Sequence, residues 1–127
     1  MVIKNIKTHG PMNYFPLRKT IEDETEKTKL SHGLVTIHVK GATPGIVIID
    51  KNELDNIDKA LRKLVPVYGW RHGNAYAHLR STITSTTHTL YFKENKLELP
   101  PNHEIYLVET RPVHNHWRTI HLYIRGE

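Results

Sequence analysis

Residues 66–85 (PVYGWRHGNAYAHLRSTITS) form the stretch around which the rest of the chain is arranged. They hold two of the ten histidines, His72 and His78, between an amphipathic segment upstream and β-rich sequence downstream. A polar row that contains His78 lies beside small or apolar neighbours. Such a row is typical of a functional site, and equally of an ordinary amphipathic element.

Two secondary-structure periods compete in this stretch. In a strand, one face would carry His72, Asn74, Tyr76 and His78. In a helix that begins near Asn74, the polar row would contain Asn74, His78, Ser81 and Ser85. The apolar stripe of that helix would contain Ala75, Leu79 and Ile83. The helix accounts for more residues at once, and we therefore predict a helix.

The composition bounds the class of protein. A chain of 127 residues predicts a single domain over residues 1–127. No apolar run approaches the roughly 20 residues that span a bilayer, and the N-terminus lacks a signal-peptide pattern. The chain contains no cysteine, so any metal would need His, Asp or Glu ligands. We expect a cytoplasmic protein that does not bind a membrane.

The net charge of +5 favours an anionic ligand. The lysines and arginines are scattered, however, and the aromatic residues, at 8% of the chain, show no RNA-binding pattern. We therefore do not expect nucleic acid as a partner.

The N-terminal half alternates strands and helices. Partial alternation predicts a strand at residues 2–7, and a short extended piece follows at 13–15. Residues 17–30 carry mixed charges on a thin apolar stripe and predict a helix, with a polar strand pair as the alternative. Residues 34–39 and 46–49 predict strands on either side of a Gly/Pro loop.

The most regular helix pattern follows the second of these strands. Asp50 as N-cap and Glu53 three residues later resemble a capping box, and Pro66 ends the pattern. The apolar positions, spaced at three and four residues, are Leu54, Ile57, Leu61 and Leu64.

The C-terminal half predicts strands at residues 84–92, 96–99, 104–110 and 118–125. The last two are joined by residues 111–117, whose length suits a hairpin with a long loop, so this half would be a meander. The fold class that follows is α+β, mainly an antiparallel β-sandwich with two or three helices.

The stretch NAYAHLRS and the ending GE resemble the YjbQ family, and the similarity extends over nearly the whole chain. The family pattern N-A-x-A-H-[IL]-[KR]-[AS]-S is matched by Asn74, Ala75, Ala77, His78, Leu79, Arg80 and Ser81, and the terminal GE by Gly126 and Glu127. The resemblance implies a homotrimer with weak secondary thiamine-phosphate synthase activity. It also implies a His-lined site near a subunit boundary that holds a metal ion or an anion.

Several family motifs differ here. The family's H-T-[TS]-A motif reads Gly41-Ala42-Thr43-Pro44, so a glycine stands where the family has histidine. The family's N-E reads Ile49-Asp50, its L-G-[PT]-S reads residues 84–87, and its G-T-W-Q reads residues 100–103. These departures imply a divergent member, because a site depends on particular groups whereas a fold depends on patterning.

Two kinds of site are open. A divalent metal, zinc or similar, would use His72 and His78 as ligands, with Asp50 or His103 as a third. A phosphate would use Arg71, Thr43, Arg80, Ser81 and the amides of loop 41–45. The wider set of expected ligand-binding residues adds Asp50 and Asn74. The alternative is a half-buried His78 in a subunit contact beside a plain loop. We expect the other strand histidines, His38, His88 and His121, to face solvent or a subunit boundary.

Two function classes follow. In the first, the chain is a trimeric enzyme with His78 as general acid/base or metal ligand, and with Arg80 or Ser81 holding a phosphate. In the second, it is a non-catalytic trimeric scaffold or ligand-binding module that has lost the family's active site.

Overall fold

The computed structural model describes residues 1–126, so Glu127 of the GE ending lies outside the described residues. These residues form eight strands: β1 Val2–Thr8, β2 Asn13–Pro16, β3 His32–Val39, β4 Gly45–Asp50, β5 Thr87–Lys93, β6 Lys96–Leu97, β7 His103–Glu109 and β8 His116–Gly126. Three α-helices accompany them: α1 Arg18–Lys27, α2 Leu54–Leu64 and α3 Ala75–Thr84. None of the helices within residues 1–126 is long and apolar enough to cross a membrane.

The strands form two antiparallel sheets, which confirms the predicted α+β class. The larger sheet has five strands in the order β1-β8-β3-β5-β6, and the smaller has three in the order β2-β7-β4. In β3, every second side chain points inward, and Val35, Ile37 and Val39 are buried. One face of the larger sheet therefore faces the core. The main core joins these residues to Ile105 and Leu107 of the smaller sheet.

The outer face of the smaller sheet is covered by α2. Leu61 packs with Val47, Tyr106 and Val108, as the predicted spacing requires. Leu64, the last position of the predicted apolar pattern, is instead 67% exposed. Asp50 acts as a cap, but of a short 3-10 helix, Lys51–Glu53, that leads into α2; its carboxylate accepts the Asn52 N–H at 2.8 Å.

The other local predictions hold with shifted ends. The charged segment forms α1, and the residues on the apolar stripe, Leu17 and Ile21, are buried. The strand expected at 84–92 begins only at Thr87, because the preceding helix continues to Thr84. His88 was expected to face outward and does not: its Nε2 lies 3.1 Å from the Ile46 carbonyl.

The predicted hairpin between the last two long strands is wrong. Strand β7 lies between β2 and β4, and β8 lies between β1 and β3 in the other sheet. Each of the two strands is hydrogen-bonded on both sides, so β7 and β8 cannot pair with each other. The connecting residues 110–115 instead carry the chain from one sheet to the other.

Candidate functional site

Helix α3 forms as predicted but presents a different face to the core. Its buried residues are Tyr76, Ala77, Arg80, Ser81 and Thr84. Leu79 and Ile83, expected in the apolar stripe, are 36% and 55% exposed. Small and hydroxyl residues on the inner face allow a close approach to β4: a Cβ added at Gly45 would overlap Thr84 Oγ1.

The guanidinium of Arg80 is buried, and it fixes the segment that follows α2. Its Nε and Nη2 donate to the Val65 carbonyl at 3.0 and 2.7 Å, and it lies 5.1 Å from the centre of the Tyr76 ring. Burial lowers the pKa of Arg80, and the positive charge of Arg62 lowers it further. These two donors of Arg80 are therefore directed into the chain.

The loop 41–45 is held by three buried contacts. Ser81 Oγ donates to the Pro44 carbonyl at 2.6 Å, and the Thr110 hydroxyl donates to the Thr43 carbonyl. Arg118 Nη2 donates to Thr43 Oγ1 at 3.1 Å. The hydroxyls of Thr43 and Ser81, expected to bind a ligand, thus already have partners within the chain.

His78 lies on the exposed side of α3, where its Nε2 is 3.5 Å from Asn74 Nδ2. A cavity of about 420 Å³ opens beside it, lined by Gly41, Ala42, His78, Ser81, Thr82, Ser85 and Thr86. Within residues 1–126, no hydrogen bond uses the N–H of Gly41 or Ala42. The cavity is therefore lined by an imidazole and by two residues whose backbone N–H groups have no partner within residues 1–126, and its lining contains no carboxylate. The hydroxyls of Ser81, Thr82 and Ser85, which also line it, donate to carbonyls of the chain itself.

The remaining predicted residues are not brought to this cavity. Asp50 and His103 are register partners at the far end of β4, where Asn102 Nδ2 donates to the Asp50 carboxylate. His72 and Arg71 are exposed in the turn that precedes α3.

A metal ion would need several of these donor atoms close together. His103 Nδ1 is buried without a hydrogen-bond partner. In the part of the chain that the structure describes, however, no group of three or more His, Asp or Glu side chains could hold a metal. Within residues 1–126, His72 and His78 therefore do not form a three-ligand metal set with Asp50 or His103.

Sequence reasoning missed Glu109 and Arg118. Arg118 Nε and Nη2 donate to the Glu109 carboxylate at 2.8 and 2.6 Å, and Arg118 also contacts Thr43. Burial raises the pKa of Glu109, but the hydrogen bonds from Arg118 and Thr8 outweigh it and hold the pKa below its usual value. No local pattern marks such a pair, because the partners come from different sheets.

These residues define a two-sheet α+β sandwich. It has a polar cavity beside α3, the helix that contains the buried Arg80. A family model described as UPF0047 protein YjbQ-like matches residues 3–127. The chain belongs to the YjbQ family.

Solved structures show the same fold. An uncharacterized conserved protein of the YjbQ/UPF0047 family from Clostridium acetobutylicum matches with a TM-score of 0.88 at 21% identity, covering 98% of this chain and 100% of that chain. A protein of unknown function from Sulfolobus solfataricus gives 0.88 at 25% identity, covering 99% of this chain and 96% of that chain. A hypothetical protein from Aeropyrum pernix matches with a TM-score of 0.87 at 22% identity, covering 99% of this chain and 98% of that chain. No curated protein matches the chain.

Proposed function

We propose that the chain binds a small phosphorylated ligand in the His78 cavity, without a metal. The observation that carries this proposal is the cavity lining, which contains the His78 ring and no carboxylate, beside Gly41 and Ala42, whose N–H groups have no partner within residues 1–126. Phosphate oxygens accept hydrogen bonds from such donors, and a glycine allows the backbone to come close to them. The positive net charge adds long-range attraction for an anion.

His78 is the residue that would contact the phosphate and exchange a proton with the ligand. Its ring is exposed at the cavity, and imidazole is the side chain best suited to proton transfer near neutral pH. The Asn74 amide beside Nε2 orients the ring. A weak thiamine-phosphate synthase-like activity would be the catalytic form of this proposal, with His78 as general acid/base.

The second candidate is a non-catalytic ligand-binding module or trimeric scaffold of the same family. It is favoured by the internal use of Arg80, Ser81 and Thr43, whose polar groups bond to carbonyls or side chains of the chain itself. A catalytic site needs groups free to act on substrate, and here one imidazole is free. The implied homotrimer and a cytoplasmic location remain predictions under either candidate.

The experiment is a titration of the purified protein with inorganic phosphate and with thiamine phosphate, followed by calorimetry and by NMR shifts of the Gly41 and Ala42 amides. We expect both amides to shift, and we expect His78→Ala to weaken binding about tenfold, the value of one charged hydrogen bond. His114→Ala, in an exposed loop, is the matched control.

An assay for thiamine phosphate formation from its two phosphorylated precursors separates the candidates. Formation that His78→Ala abolishes would support the enzyme. Binding without formation would support the ligand-binding module. If neither phosphate nor thiamine phosphate shifts the two amides, the proposal of a phosphate site is wrong.

A further inference from the structure

We propose that His38 and His121 form a binding site for a divalent transition-metal ion on the outer face of the five-stranded sheet. The two residues lie on adjacent antiparallel strands, β3 and β8, and are direct register partners. Their ring centroids are 6.0 Å apart. Direct cross-strand partners point to the same face with Cβ atoms about 5 Å apart, so both rings can reach one ion.

His38 has a hydrogen-bond partner of the kind that commonly orients a metal-bound histidine. Its Nδ1 lies 2.7 Å from the hydroxyl oxygen of Thr87, its partner on β5. In the tautomer that donates this hydrogen bond, Nε2 carries the free lone pair. Metal-bound histidines commonly donate the other ring N–H to a nearby oxygen, which fixes both the tautomer and the ring direction.

The surroundings of His121 leave it equally available. Its ring packs edge-on against Tyr123 at 6.5 Å, and its partner on the other side is the apolar residue Ile3. The next row of this face, Thr36 and Tyr123, lines an open depression of about 550 Å³, and both histidines are themselves partly exposed. Neither histidine belongs to the lining of the His78 cavity.

The ligand type selects the ion. Imidazole nitrogens suit Zn²⁺, Ni²⁺ and Cu²⁺, whereas Mg²⁺ and Ca²⁺ prefer oxygen ligands. None of the direct register partners of the two histidines is a carboxylate: they are Thr87 and Ile3. Two imidazoles therefore supply the protein ligands, and water completes the coordination.

The test is calorimetric titration of the full chain with zinc and nickel chloride, with paramagnetic broadening by Cu²⁺ read on the ring signals of the native protein. We expect one ion per chain and broadening confined to His38, His121 and their neighbours. His38→Ala and His121→Ala should each weaken binding about tenfold or more, and Thr87→Val by a smaller factor. His32→Ala, on the same strand and face but opposite Lys93, should leave binding unchanged.

Three results would overturn the proposal: no ion bound by the native protein, unchanged affinity in both histidine variants, or an affinity that depends on His78 instead. The Cu²⁺ broadening experiment requires no substitution. It therefore shows whether the ion binds at His38 and His121 even if a variant folds poorly. Phosphate binding at the His78 cavity is a separate measurement, and its failure would leave this site untouched.

Discussion

Glu109 and Arg118 form a buried two-point ion pair that joins the two sheets. Glu109 ends β7 in the smaller sheet and is fully buried, and Arg118 lies near the start of β8 in the larger one. Thr8 of β1 donates a further hydrogen bond to the same carboxylate at 2.6 Å. The pair therefore fixes the point at which the chain crosses between sheets, and through Thr43 it also fixes the loop beside His78.

Removing one partner of this pair should be severe. We expect Arg118→Met to lower the free energy of unfolding by about 3 to 5 kcal/mol, because Glu109 is left buried without its cation. Urea unfolding measures the change. Replacing both residues by Met should cost less than Arg118→Met alone, and Lys19→Met, from an exposed helix pair, should cost less than about 1 kcal/mol. If Arg118→Met lowered the free energy of unfolding no more than Lys19→Met does, the prediction would be contradicted.

The Glu109–Arg118 pair should also make the free energy of unfolding depend on pH in the acid range. The pKa of Glu109 is held below its usual value of 4.5 in the folded chain, so its carboxylate favours folding above that pH. This contribution is complete above about pH 4.5 and is lost as pH falls through the lower folded pKa. In Arg118→Met, burial should raise the pKa of Glu109, so its contribution should instead weaken as pH rises. The free energy of unfolding, measured from pH 3 to 7, should rise with pH through the Glu109 contribution in the native protein and fall through it in Arg118→Met. Parallel curves for the two proteins would contradict this prediction.

Arg80 should contribute to stability and not to ligand binding. We expect Arg80→Met to lower the free energy of unfolding by about 2 kcal/mol, since both bonds to the Val65 carbonyl are lost. Phosphate affinity should change less than twofold. The opposite result, weakened phosphate binding at unchanged stability, would mean that the guanidinium turns to the ligand.

The contact between Gly45 and Thr84 should be detectable as non-additivity. Gly45→Ala places a methyl group against Thr84 Oγ1, and we expect it to cost about 1 to 3 kcal/mol. In a Thr84→Ala background the cost should fall, because the overlapping oxygen is absent. Thermal unfolding of the four variants of this cycle provides the measurement, and strictly additive effects would exclude the steric explanation.

The predicted homotrimer can be tested on α3. Ile83 is 55% exposed and lies on the same outward side as Leu79, which is 36% exposed. If this side packs against another copy, Ile83→Glu should shift the mass measured by light scattering from trimer to monomer. Lys19→Glu, exposed on α1, is the control and should leave the mass unchanged.

Local patterns predicted most of the elements but not their partners. The alternation of β3 and the spacing of Leu54, Ile57 and Leu61 gave the right structures, because burial on one face imposes those periods. The side of α3 that is buried was not predictable, since Arg80 and Ser81 are buried only through carbonyls of Val65 and Pro44 that are distant in sequence. The pairing of β7 failed for a related reason: a strand sequence does not encode which edge it joins.

Within residues 1–126, β1 pairs with a single strand, β8, which is the last strand of that range. Val2–Thr8 pairs with residues 116–122, so no sheet edge can receive it until almost the whole described chain has been synthesised. During translation, β1 must therefore wait unpaired while the rest of the larger sheet forms, and unpaired strands are where nascent chains aggregate. Closing such a distant contact also slows folding. We expect synthesis rate and chaperone supply, more than the stability of the finished fold, to limit how much of this protein a cell can make.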